Sequence, residues 1–293
     1  MISSIYIGLL IFVSFIIVAY FIFIFVYMIK YINAVSYSTD NYIKCDKEHC
    51  TDEVIEEYSY IPRQLDNSYS REVSKFCAQL ILRLEYAHKY KTMYPSLLKQ
   101  ILSVQDKYKN PIFCAIFMDE ILNNAWIVLR GTYTFSEFVA DIDYSQINLE
   151  NTDMKVHRGF YKIYKNVRNQ IFKHLKKYNV NNVFITGHSL GAAIATLISI
   201  DMYKYKYNAY VYGFGSPRVG NMEFAQYINK YCNVYNIINQ SDVVTNVPPS
   251  VSANFVNKKD PYFYNNSGQQ IIFDDNWLSL KNNHRMPVYI KNL

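Results

Sequence analysis

The chain begins with a long uninterrupted run of apolar residues. Residues 5–29 contain no charged side chain, and the run ends at Lys30. At about 1.5 Å of rise per residue, a helix of this length crosses a hydrocarbon core of about 30 Å. We therefore predict an uncleaved transmembrane helix over residues 1–30. A cleaved signal peptide is the alternative, although its apolar region usually has only about 7–15 residues and follows a basic start, which is absent here.

Charged residues near this segment predict its orientation. No Lys or Arg precedes it, whereas Lys30, Lys44 and Lys47 follow it. The positive-inside rule then favours a single-pass protein whose C-terminal part lies in the cytoplasm. Residues 31–60 are polar and aperiodic, which is typical of a linker. We expect one globular domain over residues 61–293.

Short apolar runs alternate with helical patterns through that domain. Apolar residues recur at helical spacing over residues 70–90 and 160–178. Small and apolar residues favour further helices over residues 190–203 and 220–231. The runs that predict strands cover residues 112–118, 125–129, 183–186, 209–215 and 234–239. This alternation predicts an α/β fold with a mostly parallel central sheet covered by helices on both faces.

Composition and charge agree with a folded domain and give no sign of nucleic-acid binding. The 293 residues are 51% hydrophobic and 18% charged, which is enough apolar material for a sizeable core. The net charge of +6 is dispersed along the chain and forms no basic block with interleaved aromatic residues. Nucleic acid is therefore not an expected partner.

The cysteines do not predict a disulfide framework or a metal centre. They are odd in number and scattered along the chain, which is typical of a reducing compartment. The five positions are Cys45, Cys50, Cys77, Cys114 and Cys232. His49 lies close to the first two, but no second cluster has ligand spacing. We expect neither a metal ion nor an organic cofactor.

The clearest chemical signal is Ser189 in the stretch VFITGHSLGAAIATL. An apolar strand pattern precedes this serine, an alanine-rich helix pattern follows it, and Gly187 and Gly191 flank it. A sharp strand-to-helix turn of this kind exposes the hydroxyl, and glycines relieve the crowding in the bend. A serine hydroxyl is a weak nucleophile, so it also needs a base, an acid that orients the base, and donors for the oxyanion.

The residues that follow Ser189 include one candidate for the base and several candidates for the acid. His284 is the one histidine after Ser189, so it is the candidate base. His188 adjoins the serine, and we expect it to shape the turn. The acidic candidates are Asp201, Asp242, Asp260, Asp274 and Asp275. Asp242 stands out because it follows a predicted strand end, where loops build the site; an aspartate that only initiates a turn is the alternative. Asp201 lies too far along its helix to reach the serine.

Five segments in order resemble the signature blocks of a known family. They read IVLRGTYTFSEFVADI, VHRGFYKIY, VFITGHSLGAAIATL, GFGSPRVGN and INQSDVVTNVPP, and they span about residues 127–249. These segments look like those of the class 3 lipases, the fungal-type triacylglycerol lipases with the α/β-hydrolase fold. The resemblance implies that Ser189 is the nucleophile, Asp242 the acid and His284 the base. It also implies that Thr132 and the backbone N–H of Leu190 are the oxyanion donors.

The resemblance implies a lid directly after Thr132. Phe135, Phe138 and Val139 would give this lid an apolar face that opens against lipid. An ordinary amphipathic helix packed on the core is the alternative for the same residues.

Two further residues match the family pattern, and two others depart from it. His157 and Arg218 occupy family positions that we interpret as structural. Ala192 stands where many members have another glycine, and Asn283 stands where an aspartate commonly precedes the histidine. The second departure changes the immediate surroundings of the predicted base.

Together these observations predict a membrane-anchored serine lipase or esterase. We expect it to hydrolyse carboxylic esters of glycerolipids, either triacylglycerols or phospholipids, through an acyl-enzyme. An esterase for soluble short esters is the alternative within the same chemistry. The alternative from another class is a catalytically silent hydrolase fold that serves as a membrane interaction module.

Overall fold

A seven-stranded sheet organises the part of the chain that the computed structural model describes, which is residues 60–85, 98–104, 113–131, 144–149, 152–252 and 261–293. The strands are β1 (Leu98–Val104), β2 (Cys114–Asp119), β3 (Asn124–Leu129), β4 (Gln146–Asn148), β5 (Lys155–His157), β6 (Asn182–His188), β7 (Ala209–Phe214), β8 (Asn233–Asn239), β9 (Val251–Ser252), β10 (Tyr262–Phe263) and β11 (Gln269–Phe273). The helices are α1 (Arg71–Glu85), α2 (Arg158–Leu175), α3 (Leu190–Lys204), α4 (Met222–Tyr231), α5 (Leu280–Asn283) and α6 (Met286–Lys291).

The order of strands in the main sheet is β1-β2-β3-β6-β7-β8-β11. The first three form an antiparallel meander, and β3, β6, β7, β8 and β11 are parallel. The predicted α/β fold with a mostly parallel sheet is therefore confirmed. Because the carboxyl ends of the parallel strands meet at one edge, the loops that follow β6, β7 and β8 lie close together.

Alternating side chains explain why helices cover both faces of this sheet. In β6, Phe184 belongs to the apolar cluster that also contains the buried face of α1, whereas Val183 and Ile185 point to the opposite face. Helix α3 packs on β6 and β7. Its buried residues include Ala192 and Ala193, and small side chains of this kind allow the helix backbone to approach the sheet closely.

Several elements were not predicted because their sequences lack a clear period. Strand β1 has the mixed sequence LKQILSV and a register shift between Gln100 and Leu102. Strand β11 follows Gly268, and α5 and α6 are too short for a periodic pattern. Strands β4 and β5 pair with each other, as do β9 and β10, in small separate sheets.

The predicted anchor over residues 1–30 lies outside the described residues, as does the predicted linker up to residue 59. In the ranges given above, no helix combines the length and apolar character that membrane crossing requires. Both predictions for the N-terminal region stay predictions. Among the cysteines within those ranges, Cys77, Cys114 and Cys232 are free thiols.

Aromatic rings stacked across neighbouring strands fix the register of the sheet on the α1 face. Trp126 and Phe184 stack with ring centroids 4.1 Å apart, and Phe184 lies 5.6 Å from Tyr210 on the next strand. Phe76 of α1 contacts Trp126 edge-on at 4.8 Å. Cross-strand aromatic pairs contribute beyond their buried area, so this cluster is a major part of the core.

We predict that Phe184→Ala lowers the free energy of unfolding by about 3–5 kcal/mol, because it leaves a cavity between two rings. Urea unfolding followed by tryptophan fluorescence measures the change. Phe184→Leu is the matched control and should lose clearly less, since it retains most of the buried volume. Equal losses in the two variants would contradict the role assigned to the ring.

Candidate active site

Ser189 lies on a sharp turn between β6 and α3. Its backbone has φ 55° and ψ −123°, a conformation that side-chain-bearing residues rarely adopt. Hydrogen bonds hold it there: its N–H donates to the carbonyl of Phe214 at 2.9 Å, and its carbonyl accepts from Ala192 and Ala193. Such strain persists only where the surroundings enforce it, and it is a feature of functional sites.

The two flanking glycines are required by close backbone contacts. A Cβ on Gly187 would lie 2.3 Å from the carbonyl carbon of Gly191. A Cβ on Gly191 would lie 2.5 Å from the carbonyl oxygen of Leu129. No other residue fits at either position without moving the backbone. The turn therefore depends on both glycines of the motif, as the sequence indicates.

Asp242 and His284 form a buried hydrogen-bonded pair. Nδ1 of His284 donates to Oδ2 of Asp242 at 2.6 Å. Oδ1 of Asp242 accepts from the backbone N–H of Val244 at 2.9 Å, which caps the short 3-10 helix Val243–Asn246 after β8. The aspartate therefore initiates a turn and also binds the histidine, so the two interpretations of its sequence position are compatible.

A tyrosine from the last described helix completes the surroundings of this carboxylate. The hydroxyl of Tyr289 donates to Oδ2 of Asp242 at 2.6 Å, and the tyrosine is fully buried. Burial, followed by the charge of Asp242, raises the pKa of Tyr289 well above its usual value. Tyr289 therefore remains a hydrogen-bond donor at any working pH. Nothing in the sequence distinguishes it from the many other tyrosines.

The strand ends bring Ser189 and the pair to the same edge of the sheet. Phe214, which accepts the Ser189 N–H, is followed by Gly215. A Cβ on Gly215 would lie 2.9 Å from Oδ2 of Asp242 and 3.0 Å from Cε1 of His284. Gly215 has φ 57°, a conformation that favours glycine. Its lack of a side chain also leaves room for the Asp242–His284 pair.

Two asparagines fix the loops that carry the pair. Nδ2 of Asn239 donates to the carbonyl of Asn283 at 3.1 Å, and Nδ2 of Asn283 donates to the carbonyl of Ser241 at 3.0 Å. Asn283 directly precedes His284, and Ser241 directly precedes Asp242. The departure at position 283 thus has a structural role, because the amide joins the two loops without adding a charge.

The other acidic candidates have different partners where they are described. Asp201 binds Arg168 through two hydrogen bonds of 2.5 and 2.9 Å and also accepts from Tyr164. Asp274 accepts from the hydroxyl of Ser241, and Asp275 binds Asn292 and Lys291. Asp260 lies outside the described residues.

The structure describes one of the two predicted oxyanion donors. Leu190 is the first residue of α3, so its N–H belongs to the helix N-terminus, where backbone donors have no partner within the helix. Thr132 lies outside the described residues, as do Phe135, Phe138 and Val139 of the predicted lid. Gly131, which precedes Thr132, is described, and a Cβ there would lie 3.3 Å from Cβ of Ser189.

His157 and Arg218 hold neighbouring segments in position. Nδ1 of His157 accepts from the backbone N–H groups of Gly159 and Phe160, which caps α2. Arg218 donates to the carbonyls of Asn246 and Pro248 at 2.6 and 2.9 Å, just after the loop of Asp242. Within the ranges that the structure describes, no three His, Cys, Asp or Glu side chains group so that they could hold a metal ion.

A serine on a strained strand-to-helix turn, beside a histidine–aspartate pair at the carboxyl edge of a parallel sheet, defines the α/β-hydrolase class of protein. Residues 126–252 match the family model described as Lipase (class 3). The resemblance to the class 3 lipases that the sequence indicates is therefore confirmed over these residues.

Individual relatives agree with this assignment. The chain is 29% identical over 158 residues to a lipase of Rhizomucor miehei, covering 50% of this chain and 43% of that protein. It is 34% identical over 139 residues to secreted mono- and diacylglycerol lipase A of Penicillium cyclopium, covering 45% of this chain and 46% of that protein. The matches span less than half the length of these two relatives.

A solved structure described as "a serine protease triad forms the catalytic centre of a triacylglycerol lipase" is also similar. It is 27% identical, has a TM-score of 0.52, and the match covers 61% of this chain and 68% of that chain.

The electrostatics of His284 predict when it can act as a base. Burial, the largest influence, lowers the pKa of His284; Asp242 raises it, nearby His188 lowers it further, and the net shift is downward. We predict that the His284 imidazole titrates below the ordinary histidine value of about 6.5, so it is neutral at pH 7. Nitrogen-15 NMR of histidine-labelled protein measures this. A His284 midpoint at or above about 6.5 would contradict the prediction.

Proposed function

We propose that this protein is a serine hydrolase that cleaves carboxylic esters of glycerolipids through an acyl-enzyme on Ser189. The observation that carries the proposal is the 2.6 Å contact between Nδ1 of His284 and Asp242 at the sheet edge where Ser189 turns into α3. An imidazole oriented in this way can accept a proton at Nε2, and the buried carboxylate stabilises the imidazolium that results.

In the proposed reaction, the Oγ of Ser189 attacks the acyl carbonyl as its proton passes to Nε2 of His284. The N–H of Leu190, together with Thr132, stabilises the oxyanion of the tetrahedral intermediate. His284 then gives the proton to the leaving alcohol, and the acyl group remains on Ser189. Water, deprotonated by His284, releases the fatty acid and regenerates the serine. This proposed reaction requires no metal ion or organic cofactor.

Lipid esters are the proposed substrates because of the similarity to the class 3 lipases and the predicted anchor. One relative is named as a mono- and diacylglycerol lipase, and the similar structure is described as a triacylglycerol lipase. A spanning helix over residues 1–30 would keep the domain beside a membrane, with the catalytic part proposed to face the cytoplasm. Phe135, Phe138 and Val139 are the proposed apolar face of a lid. We propose that the substrates are triacylglycerol or phospholipid esters. Soluble short esters are the alternative substrates.

We predict that a fluorophosphonate probe labels the wild-type protein and fails to label Ser189→Ala. The reason is that the probe reacts only with an activated serine, which needs a base and an oriented acid. Ser250→Ala is the matched control, because Ser250 is an exposed serine in the same domain, and it should label like the wild type. An unlabelled wild type would support the catalytically silent module, and equal labelling of Ser189→Ala would place the reactive group elsewhere.

A substrate panel tests the lipid part of the proposal. Wild type and Ser189→Ala are compared on triacylglycerols, phospholipids and soluble short esters, with fatty acid release measured by mass spectrometry. We predict release from at least one glycerolipid class by the wild type alone, with a loss of about 10⁴-fold or more in the variant. Hydrolysis confined to short soluble esters would falsify the lipid assignment and leave the ester hydrolase.

A further inference from the structure

His188, next to the predicted nucleophile, contacts two groups on opposite sides of its ring. Its Nδ1 lies 2.9 Å from Oε1 of Glu85, the last residue of α1. Its Nε2 lies 2.7 Å from the backbone carbonyl oxygen of His284. The His188 side chain is 10% exposed, and that of Glu85 is 24% exposed. A chain of contacts therefore runs from α1 through His188 to the loop of the predicted base.

Counting protons assigns the charge state of His188. A carbonyl oxygen only accepts hydrogen bonds, and so does an ionised carboxylate. A neutral imidazole has one N–H, so one of the two contacts would bring a ring lone pair against an acceptor. An imidazolium has two N–H groups and satisfies both contacts. The geometry therefore favours a positively charged His188 paired with a negatively charged Glu85.

The local electrostatics agree with this count. Burial is the largest influence and would lower the pKa of His188. Glu85, through its charge and its hydrogen bond, outweighs burial with help from the His284 carbonyl and the charge of Asp242, so the net shift of the pKa is upward. The titratable groups that face the His188 ring are Glu85, Asp242, His284 and Tyr289.

The same charge acts on the predicted base directly. The rings of His188 and His284 lie 4.6 Å apart between centroids, at an interplanar angle of 32°. A positive charge at this distance opposes protonation of His284 and so keeps it neutral. His188 thus affects His284 in two ways: it holds the backbone of the loop, and it disfavours the protonated ring.

We propose that Glu85 and His188 form a charged couple that positions His284 through its backbone carbonyl and keeps its ring available as a base. The proposal rests on the proposed function, because it assigns positioning roles for that reaction. The charged couple also adds a residue of α1 to the site, although none of the family-like sequence segments lies in α1. When rising pH removes the second ring proton of His188, either the contact with Glu85 or the contact with the His284 carbonyl becomes repulsive, so the chain of contacts from α1 to the His284 loop is broken.

Two substitutions of Glu85 separate charge from shape. In Glu85→Gln, the amide N–H₂ can donate to Nδ1 of a neutral His188 whose Nε2–H still donates to the His284 carbonyl. Glu85→Ala removes the partner, so His188 has no group to orient it. Glu72→Gln is the matched control, because Glu72 is an exposed carboxylate on the same helix. The full chain is used in detergent micelles.

At pH 7 we expect Glu85→Ala to lower kcat by about tenfold or more, because the contact to the His284 loop is no longer oriented. Glu85→Gln should restore part of this loss. In Glu85→Gln the acidic limb of the pH profile should move to higher pH, since His188 no longer carries the charge that opposes protonation of His284. Glu72→Gln should retain the wild-type profile.

Nitrogen-15 NMR of the His188 ring provides a readout that does not depend on activity. We expect two protonated ring nitrogens in the wild type at pH 7 and one in Glu85→Gln. A single protonated nitrogen in the wild type would overturn the proposal. So would equal losses of activity in the two variants with the wild-type pH profile, which is the result of a merely structural role. A wild type that fluorophosphonate does not label contradicts the proposed function instead, while the NMR result still tests the charged couple.

Discussion

The buried carboxylate of Asp242 is the constraint on which the rest of the site depends. It has no exposed surface, and a buried charge is costly unless it is hydrogen-bonded. Its donors come from three parts of the chain: the N–H of Val244 in its own loop, Nδ1 of His284, and the hydroxyl of Tyr289. Satisfying this one group therefore fixes the loop after β8, the predicted base and helix α6 relative to one another.

The second constraint is the turn at Ser189. This turn is far from Asp242 in the sequence but lies at the same edge of the sheet. A Cβ on Gly187 would lie 2.3 Å from Gly191, and a Cβ on Gly191 would lie 2.5 Å from Leu129, so the lack of both side chains lets the start of α3 lie close to β6 and β3. The positive φ of Ser189 follows from that close approach. Gly215 plays the corresponding part beside Asp242 and His284, so lack of a side chain shapes both halves of the site.

The sequence was sufficient for features with a strong local signal. The alternation of apolar runs predicted the parallel strands and their helices, and the spacing of glycines around Ser189 predicted the turn, because both depend on short-range sterics. The contacts of Tyr289, Asn239 and Glu85 were not predictable. They join residues far apart in the sequence, and each is a common residue type whose role follows from where the sheet brings it.

Position 283 shows how the structure refines the family comparison. An asparagine where an aspartate is common leaves the surroundings of His284 undefined from sequence alone. In the structure its amide donates to the carbonyl of Ser241 and its own carbonyl accepts from Asn239. The loops that carry acid and base are thus joined by neutral hydrogen bonds, and the charges that act on His284 are those of Asp242, His188 and Glu85.

The central claim is that Ser189 forms a covalent acyl intermediate. The most direct measurement is mass spectrometry of the intact protein, quenched with acid within milliseconds of mixing with a chromogenic fatty-acid ester, followed by peptide mapping. We predict a mass increase equal to one acyl group, located on the peptide that contains Ser189. Ester hydrolysis without an adduct, together with unchanged turnover in Ser189→Ala, would contradict it.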